Sequence, residues 1–159
     1  GGGVPSDMGT TTVGGTPDAV FDRDAIAALF ARRQQSWDIL DSRALAADYA
    51  DDVVIDSPIS GRHGKAEAVR SLDAVFDAFV DMKVETTTLI IDPPWVAQTA
   101  IIEGSNLGRL FGTAPSGKPF RISAAFVYKL RGDRIVFEQR IYDFTGLLAQ
   151  VGVRKAKPL

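Results

Sequence analysis

The sequence predicts an α+β domain, and three observations carry that prediction. Apolar residues recur at helical spacing up to about Met82, the period changes to two from Lys83 onward, and Pro- and Gly-containing turns cut the second half into a meander of long strands. Helices first and antiparallel strands afterwards place the helices on one face of a curved antiparallel sheet. The predicted shape is a cone-shaped α+β barrel. Its sheet wraps over three N-terminal helices and encloses a cavity.

The elements follow in order. Ile26, Leu29, Phe30 and Trp37 share one face of a helix spanning about Asp22–Asp38, and Arg33 falls on that same face. A short helix near Arg43–Tyr49 is entered through Asp41 and Ser42 as N-cap. Val53–Ser57 reads as a strand stopped by Pro58, and Gly61 and Gly64 bracket a loop around His63. Val69, Leu72, Phe76, Phe79 and Val80 give a third helix over Lys65–Met82 its apolar stripe. Strands are then predicted from Lys83 to Asp92, from Trp95 to Leu107 and from Pro119 to Leu130. Arg131-Gly132-Asp133 turns the chain into the last strand, which begins at Arg134.

In that last strand, Ile135, Phe137, Gln139, Ile141 and Asp143 share one face at a period of two, and Arg134, Val136, Glu138, Arg140 and Tyr142 share the other. The first set is the more apolar and is expected to face inward. Asp143 is then a carboxylate at the inner end of a strand, and it needs a partner or a proton there. Arg33, on the inward face of the first helix, is the expected partner.

Composition bounds the rest. With 159 residues, 45% hydrophobic and 24% charged, the chain holds one ordinary domain, predicted over residues 19–153. Residues 1–18 and 154–159 read as tails with little to bury. The net charge of −2 and the lack of a basic stripe argue against nucleic acid. No apolar run reaches the ~20 residues that span a bilayer, so no membrane partner and a cytoplasmic location are expected. The chain has no cysteine and one histidine, which excludes disulfides, thiolate chemistry and a histidine cluster. No P-loop or dinucleotide-binding glycine pattern occurs. Neither a metal nor a cofactor is expected.

Three stretches, YADDVVIDSPISGRHGKAEAV at 49–69, GKPFRISAAFVYKLRGDRIVFEQRIYDF at 117–144 and GLLAQVG at 146–152, resemble the nuclear-transport-factor-2-like superfamily. Within it, the chain is most similar to SnoaL-like polyketide cyclases and ketosteroid-isomerase-like proteins. The resemblance implies the cone fold and a small-molecule pocket, on a scaffold that hosts several chemistries. The isomerases' base, tyrosine and carboxylic acid fall on Ser57, Arg33 and Phe126, so that mechanism is not implied. The Arg and Asp of an epoxide-hydrolase triad fall on Gly104 and Asn106. The cyclases' acid/base aspartate falls on Asp143.

The expected site therefore has Asp143 and Arg33 as catalytic residues. Ser57, Trp37, Ile102, Asn106, Phe126, Tyr128, Phe137 and Gln139 would bind an apolar or aromatic small molecule. Each also has a plainer reading. Asp143 could cap the helix that begins near Thr145, Arg33 could run its stem along the core and reach water, and the aromatic residues could be ordinary core. The expected chemistry is proton transfer next to a carbonyl, as in cyclisation, isomerisation or dehydration. The alternatives are a non-catalytic ligand-binding or dimerisation module and an epoxide-hydrolase-like enzyme. A homodimer is expected through the outer sheet face.

Overall fold

A computed structural model describes residues 22–153. The predicted tails at 1–18 and 154–159 lie outside the described residues. Helix α1 spans Arg23–Asp38, and the Asp22 carboxylate caps it by accepting from the amides of Asp24 and Ala25. Helix α2, Ser42–Ala46, is capped by Asp41. Strand β1 (Tyr49–Ser57) and the short β2 (Gly61–His63) follow, then helix α3, Lys65–Ala78. Strands β3 (Lys83–Asp92), β4 (Trp95–Ser105), β5 (Pro119–Arg131) and β6 (Arg134–Tyr142) lead to the closing helix α4, Phe144–Gln150.

The strands form one sheet in the order β2-β1-β6-β5-β4-β3. It is curved and wraps over the helices in the expected cone, though it stays open, and its β1/β6 pair is parallel where an antiparallel sheet was expected. The β1 strand also starts four residues earlier than its alternation suggests, because Tyr49 and Ala50 are already buried. His63 belongs to a strand, paired with Ile55, rather than to a loop. Helix α3 stops at Ala78, short of the predicted Met82. There the amides of Leu107 and Gly108 both donate to the Ala78 carbonyl and close the helix end from outside.

Strand β5 alternates without a break. Phe120, Ile122, Ala124, Phe126, Tyr128 and Leu130 all face the helices. Its neighbour β6 does not keep step. Leu130 pairs with Ile135, but Lys129 pairs with Phe137, so Val136 is an extra residue in a β-bulge. A one-residue insertion exchanges the two faces of everything beyond it. Past the bulge, Glu138, Arg140 and Tyr142 lie opposite Tyr128, Phe126 and Ala124 on the inner face. Phe137, Gln139 and Ile141 lie opposite Lys129, Val127 and Ala125 on the outer face. The face assignment expected for the last strand is therefore reversed over most of its length.

Candidate functional site

Helices α1, α3 and α4 and the inner faces of β4, β5 and β6 surround a cavity of about 440 Å³, a volume suited to a compact organic ligand. Its wall is mainly apolar, with Trp37, Ile102 and Phe126 among the lining residues. Strand β6 contributes two polar side chains, Arg140 and Tyr142. The end of β1 contributes Ser57, whose Oγ accepts from the Ser60 amide at 3.0 Å. That bond fixes the turn and leaves the hydroxyl proton for a ligand. Asp77 and Arg109 line the cavity where exposed residues mark its open end.

Arg140 is held from behind. Its Nε donates to Glu138 Oε2 at 2.6 Å, and its Nη2 donates to the Tyr49 hydroxyl at 3.2 Å. Tyr49 in turn donates to Glu138 Oε1 at 2.6 Å. Among the described residues no hydrogen bond engages Arg140 Nη1, which is the donor left for the cavity. Glu138 is fully buried. Burial pushes its carboxyl up, but Arg140 and Arg33, with hydrogen bonds from Tyr49 and Arg140, outweigh that and hold it below the usual range. The Tyr142 phenol is pushed up to about 12, by burial first and against the opposing charge of Arg140, so it is a protonated donor at neutral pH.

Arg33 lies one layer deeper and is not on the cavity wall. Its Nη1 donates to Asp48 Oδ2 at 3.0 Å and to the Leu45 carbonyl at 2.9 Å. Its Nη2 stands 3.9 Å from Glu138. Its Nε and Nη2 find no hydrogen-bond acceptor among the described residues. Instead the guanidinium carbon sits 5.6 Å and 5.7 Å from the ring centroids of Tyr49 and Tyr128, where the ring faces attract a cation. Two arginines and two carboxylates thus balance within the core, so the cavity gains the Arg140 cation without an uncompensated buried charge.

The expected Asp143–Arg33 pair does not form. Asp143 is exposed at the N-cap of α4, where its Oδ1 accepts from the Gly146 amide at 2.8 Å. A side chain on residue 146 would collide with that carboxylate, so Gly146 is what lets the cap close. Phe137 and Gln139 are outside the cavity because of the bulge, and Phe137 packs edge-on to Trp95. Asn106 is buried but serves the loops: its side chain accepts from Ser116 and donates to Gly108. Tyr128 lies beneath the cavity and donates to Gln98 at 2.8 Å. Trp37, Ser57, Ile102 and Phe126 do line the cavity. Arg140, Tyr142, Glu138 and Tyr49 were missed. The available signal was Glu-x-Arg-x-Tyr on one strand face, a carboxylate and a guanidinium spaced to pair.

A helix-filled, open conical sheet with a pocket at its wide end defines the nuclear-transport-factor-2-like superfamily. Within it, the sequence model for SnoaL-like polyketide cyclases matches residues 27–151, and the chain belongs to that family. No curated protein sequence matches significantly. Solved structures share the fold at low identity. AclR from Streptomyces galilaeus, a proposed hydroxylase, is 18% identical with a TM-score of 0.75, covering 86% of this chain and 87% of its own. IdmH from Streptomyces antibioticus, a proposed polyketide cyclase, is 22% identical with a TM-score of 0.68, covering 80% and 98%. TsrD from Streptomyces laurentii is 16% identical with a TM-score of 0.73, covering 85% and 100%.

Proposed function

We propose that this protein is a cyclase-type enzyme that closes a ring in an apolar polyketone by proton transfer next to a carbonyl. The observation that carries this reading is the Arg140 guanidinium, held by Glu138 and Tyr49 and lining an apolar cavity beside the protonated Tyr142. In an aldol-type closure, a proton leaves the carbon between two carbonyls and an enolate forms. The enolate carbon then attacks a ketone, and the resulting alkoxide takes a proton. Arg140 would donate to the enolate oxygen, a preorganised cation in a site of low polarity. Tyr142 would protonate the alkoxide. Asp77, the carboxylate on the cavity wall among the described residues, stands at the open end and would accept the first proton through intervening water.

One observation favours a non-catalytic binding module instead. Both interior carboxylates, Asp48 and Glu138, are engaged by arginines. The two readings part on a phenol such as 2-naphthol, whose phenolate mimics an enolate. In the enzyme reading the bound phenol ionises at lower pH than in water, because a fixed cation favours the anion. Arg140→Met removes that shift. With a linear poly-β-ketone ester as substrate, Tyr142→Phe then lowers kcat on the order of 10²-fold, the scale of losing one acid or oxyanion donor. Binding with no ionisation shift and no turnover supports the module.

A further inference from the structure

Two non-glycine residues among those described have positive φ, Leu40 at 53° and Phe111 at 50°. That region is costly for side chains larger than Asn or Asp. Leu40 follows the end of α1, and its side chain packs against the core, so burial offsets the cost. Phe111 has no such return, being 62% exposed.

Phe111 and Gly112 are the two central residues of a tight hairpin. Leu110 and Thr113 pair on either side of them, exchanging N–H···O bonds of 3.2 Å and 2.9 Å. Gly112 also has positive φ, at 74°. Two successive positive-φ residues make the turn type that matches strand twist, and its first position favours Asn or Asp. A phenylalanine there goes against the turn's own chemistry. The turn is nonetheless pinned: Arg109 Nη1 donates to the Gly112 carbonyl at 2.8 Å. Below it, the amide of Gly108 is tied to Ala78 at the end of α3.

What the strained position achieves is placement. Phe111 lines the open end of the cavity. Its ring meets Phe144 edge-on at 5.8 Å between centroids, and Phe144 meets Tyr142 edge-on at 6.4 Å. Three rings therefore run from the outer rim to the polar wall of the site. Backbone strain kept at a cavity mouth, with one edge-on ring contact and little burial to offset it, points to function there.

We propose that Phe111 is a specificity-determining residue that forms an outer ring-stacking subsite, selecting ligands long and flat enough to span from the Arg140–Tyr142 wall to the mouth. This inference rests on the reading of the cavity as a small-molecule site. It extends that reading by assigning a length and a planarity to what the cavity accepts.

The test uses the full chain and two phenolic probes, 2-naphthol with two fused rings and 2-hydroxyanthraquinone with three. Binding is followed by calorimetry for wild type and Phe111→Asn. Asparagine suits the turn, so the variant's Tm should hold or rise. The three-ring probe should bind about three- to tenfold more weakly, the range of one aromatic contact, while the two-ring probe is unchanged. Equal affinity of both proteins for the three-ring probe overturns the subsite and leaves the cavity reading intact. A lower Tm with the same loss for both probes marks Phe111 as structural and also overturns it. Failure of wild type to bind either probe removes the cavity reading, and the subsite with it.

Discussion

Arg33 and Arg140 lie in one core, and their surroundings separate their roles. Arg33 has tyrosine rings and Asp48 around it and does not line the cavity, so it acts as counter-charge to Glu138. Arg140 bonds Glu138 and Tyr49 through two nitrogens and also lines the cavity. Glu138 is the hinge of this arrangement, and its charge has a predictable pH dependence. Burial raises its pKa, but the two arginines and the hydrogen bonds bring it below the 4.5 of a free glutamate. A carboxyl whose folded pKa is depressed contributes stability at pH above its unfolded value, and that stability is lost as pH falls through the folded pKa. The Tm should therefore begin to drop as pH falls below about 4.5, where the unfolded chain takes up the proton first, and go on dropping until Glu138 itself is protonated and both arginines lose a counter-charge. Glu138→Gln should cost ~3 kcal/mol or more at neutral pH, the cost of breaking a buried pair, and should flatten the acid limb of a Tm-against-pH curve. An unchanged acid limb in the variant would remove Glu138 from this role. At this scale the sequence was legible in part. A charge on the apolar stripe of α1 marked Arg33 as an interior cation, but its partners, Asp48 and Glu138, come from two other segments, and no local pattern names them.

At the scale of elements, regular periods were readable and interruptions were not. The α1 stripe and the alternation along β5 appear in the structure as read, because both run unbroken against one face of the core. In β6 the alternation is broken by Val136, and neither glycine nor proline announces the bulge. The same insertion that spoiled the reading creates the site. Without it, Arg140 and Tyr142 would face outward and Gln139 and Ile141 inward. The end of α3 shows a second close fit. Gly108 lies so near the Asp77 carbonyl that a Cβ at 108 would overlap it, and the Gly108 amide donates to Ala78. Gly108→Ala must push the 107–113 segment off the helix end, at a cost of ~1–3 kcal/mol, as for other overpacked contacts. Because that segment carries Arg109 and Phe111, affinity for cavity ligands should fall along with stability, whereas Gly117→Ala, in an open turn with φ of 72°, should cost stability alone. Calorimetric binding and thermal melts of both variants check this, and equal affinities would disconnect the segment from the site.

At the scale of the molecule, the bulge also shapes the outer face of the sheet. By turning Glu138 and Arg140 inward it leaves Ile141, Gln139 and Phe137 outside, next to Ala125, Val127 and Lys129 of β5 and the β4 residues paired with them. Ala97, Ile101, Ala125 and Val127 form a half-buried apolar centre, bordered by the exposed Trp95 and Ile141. Charged residues stand at its ends: the Arg121–Glu103 pair at 2.6 Å on one, and Lys129 over Trp95 at 5.5 Å on the other. The homodimer expected from the sequence thus has a more apolar face available than the sequence alone implied. A face of this composition suits a two-fold contact with its own copy, the commonest closed symmetry. Light scattering at micromolar concentration should give a mass about twice the 17.1 kDa of the chain. Val127→Glu, which puts a charge at the centre of that face, should return the mass to one chain. Affinity for cavity ligands should be retained, since Val127 points away from the cavity. A wild-type mass of one chain would leave the outer face without a partner of its own kind, and its apolar centre would then need another explanation.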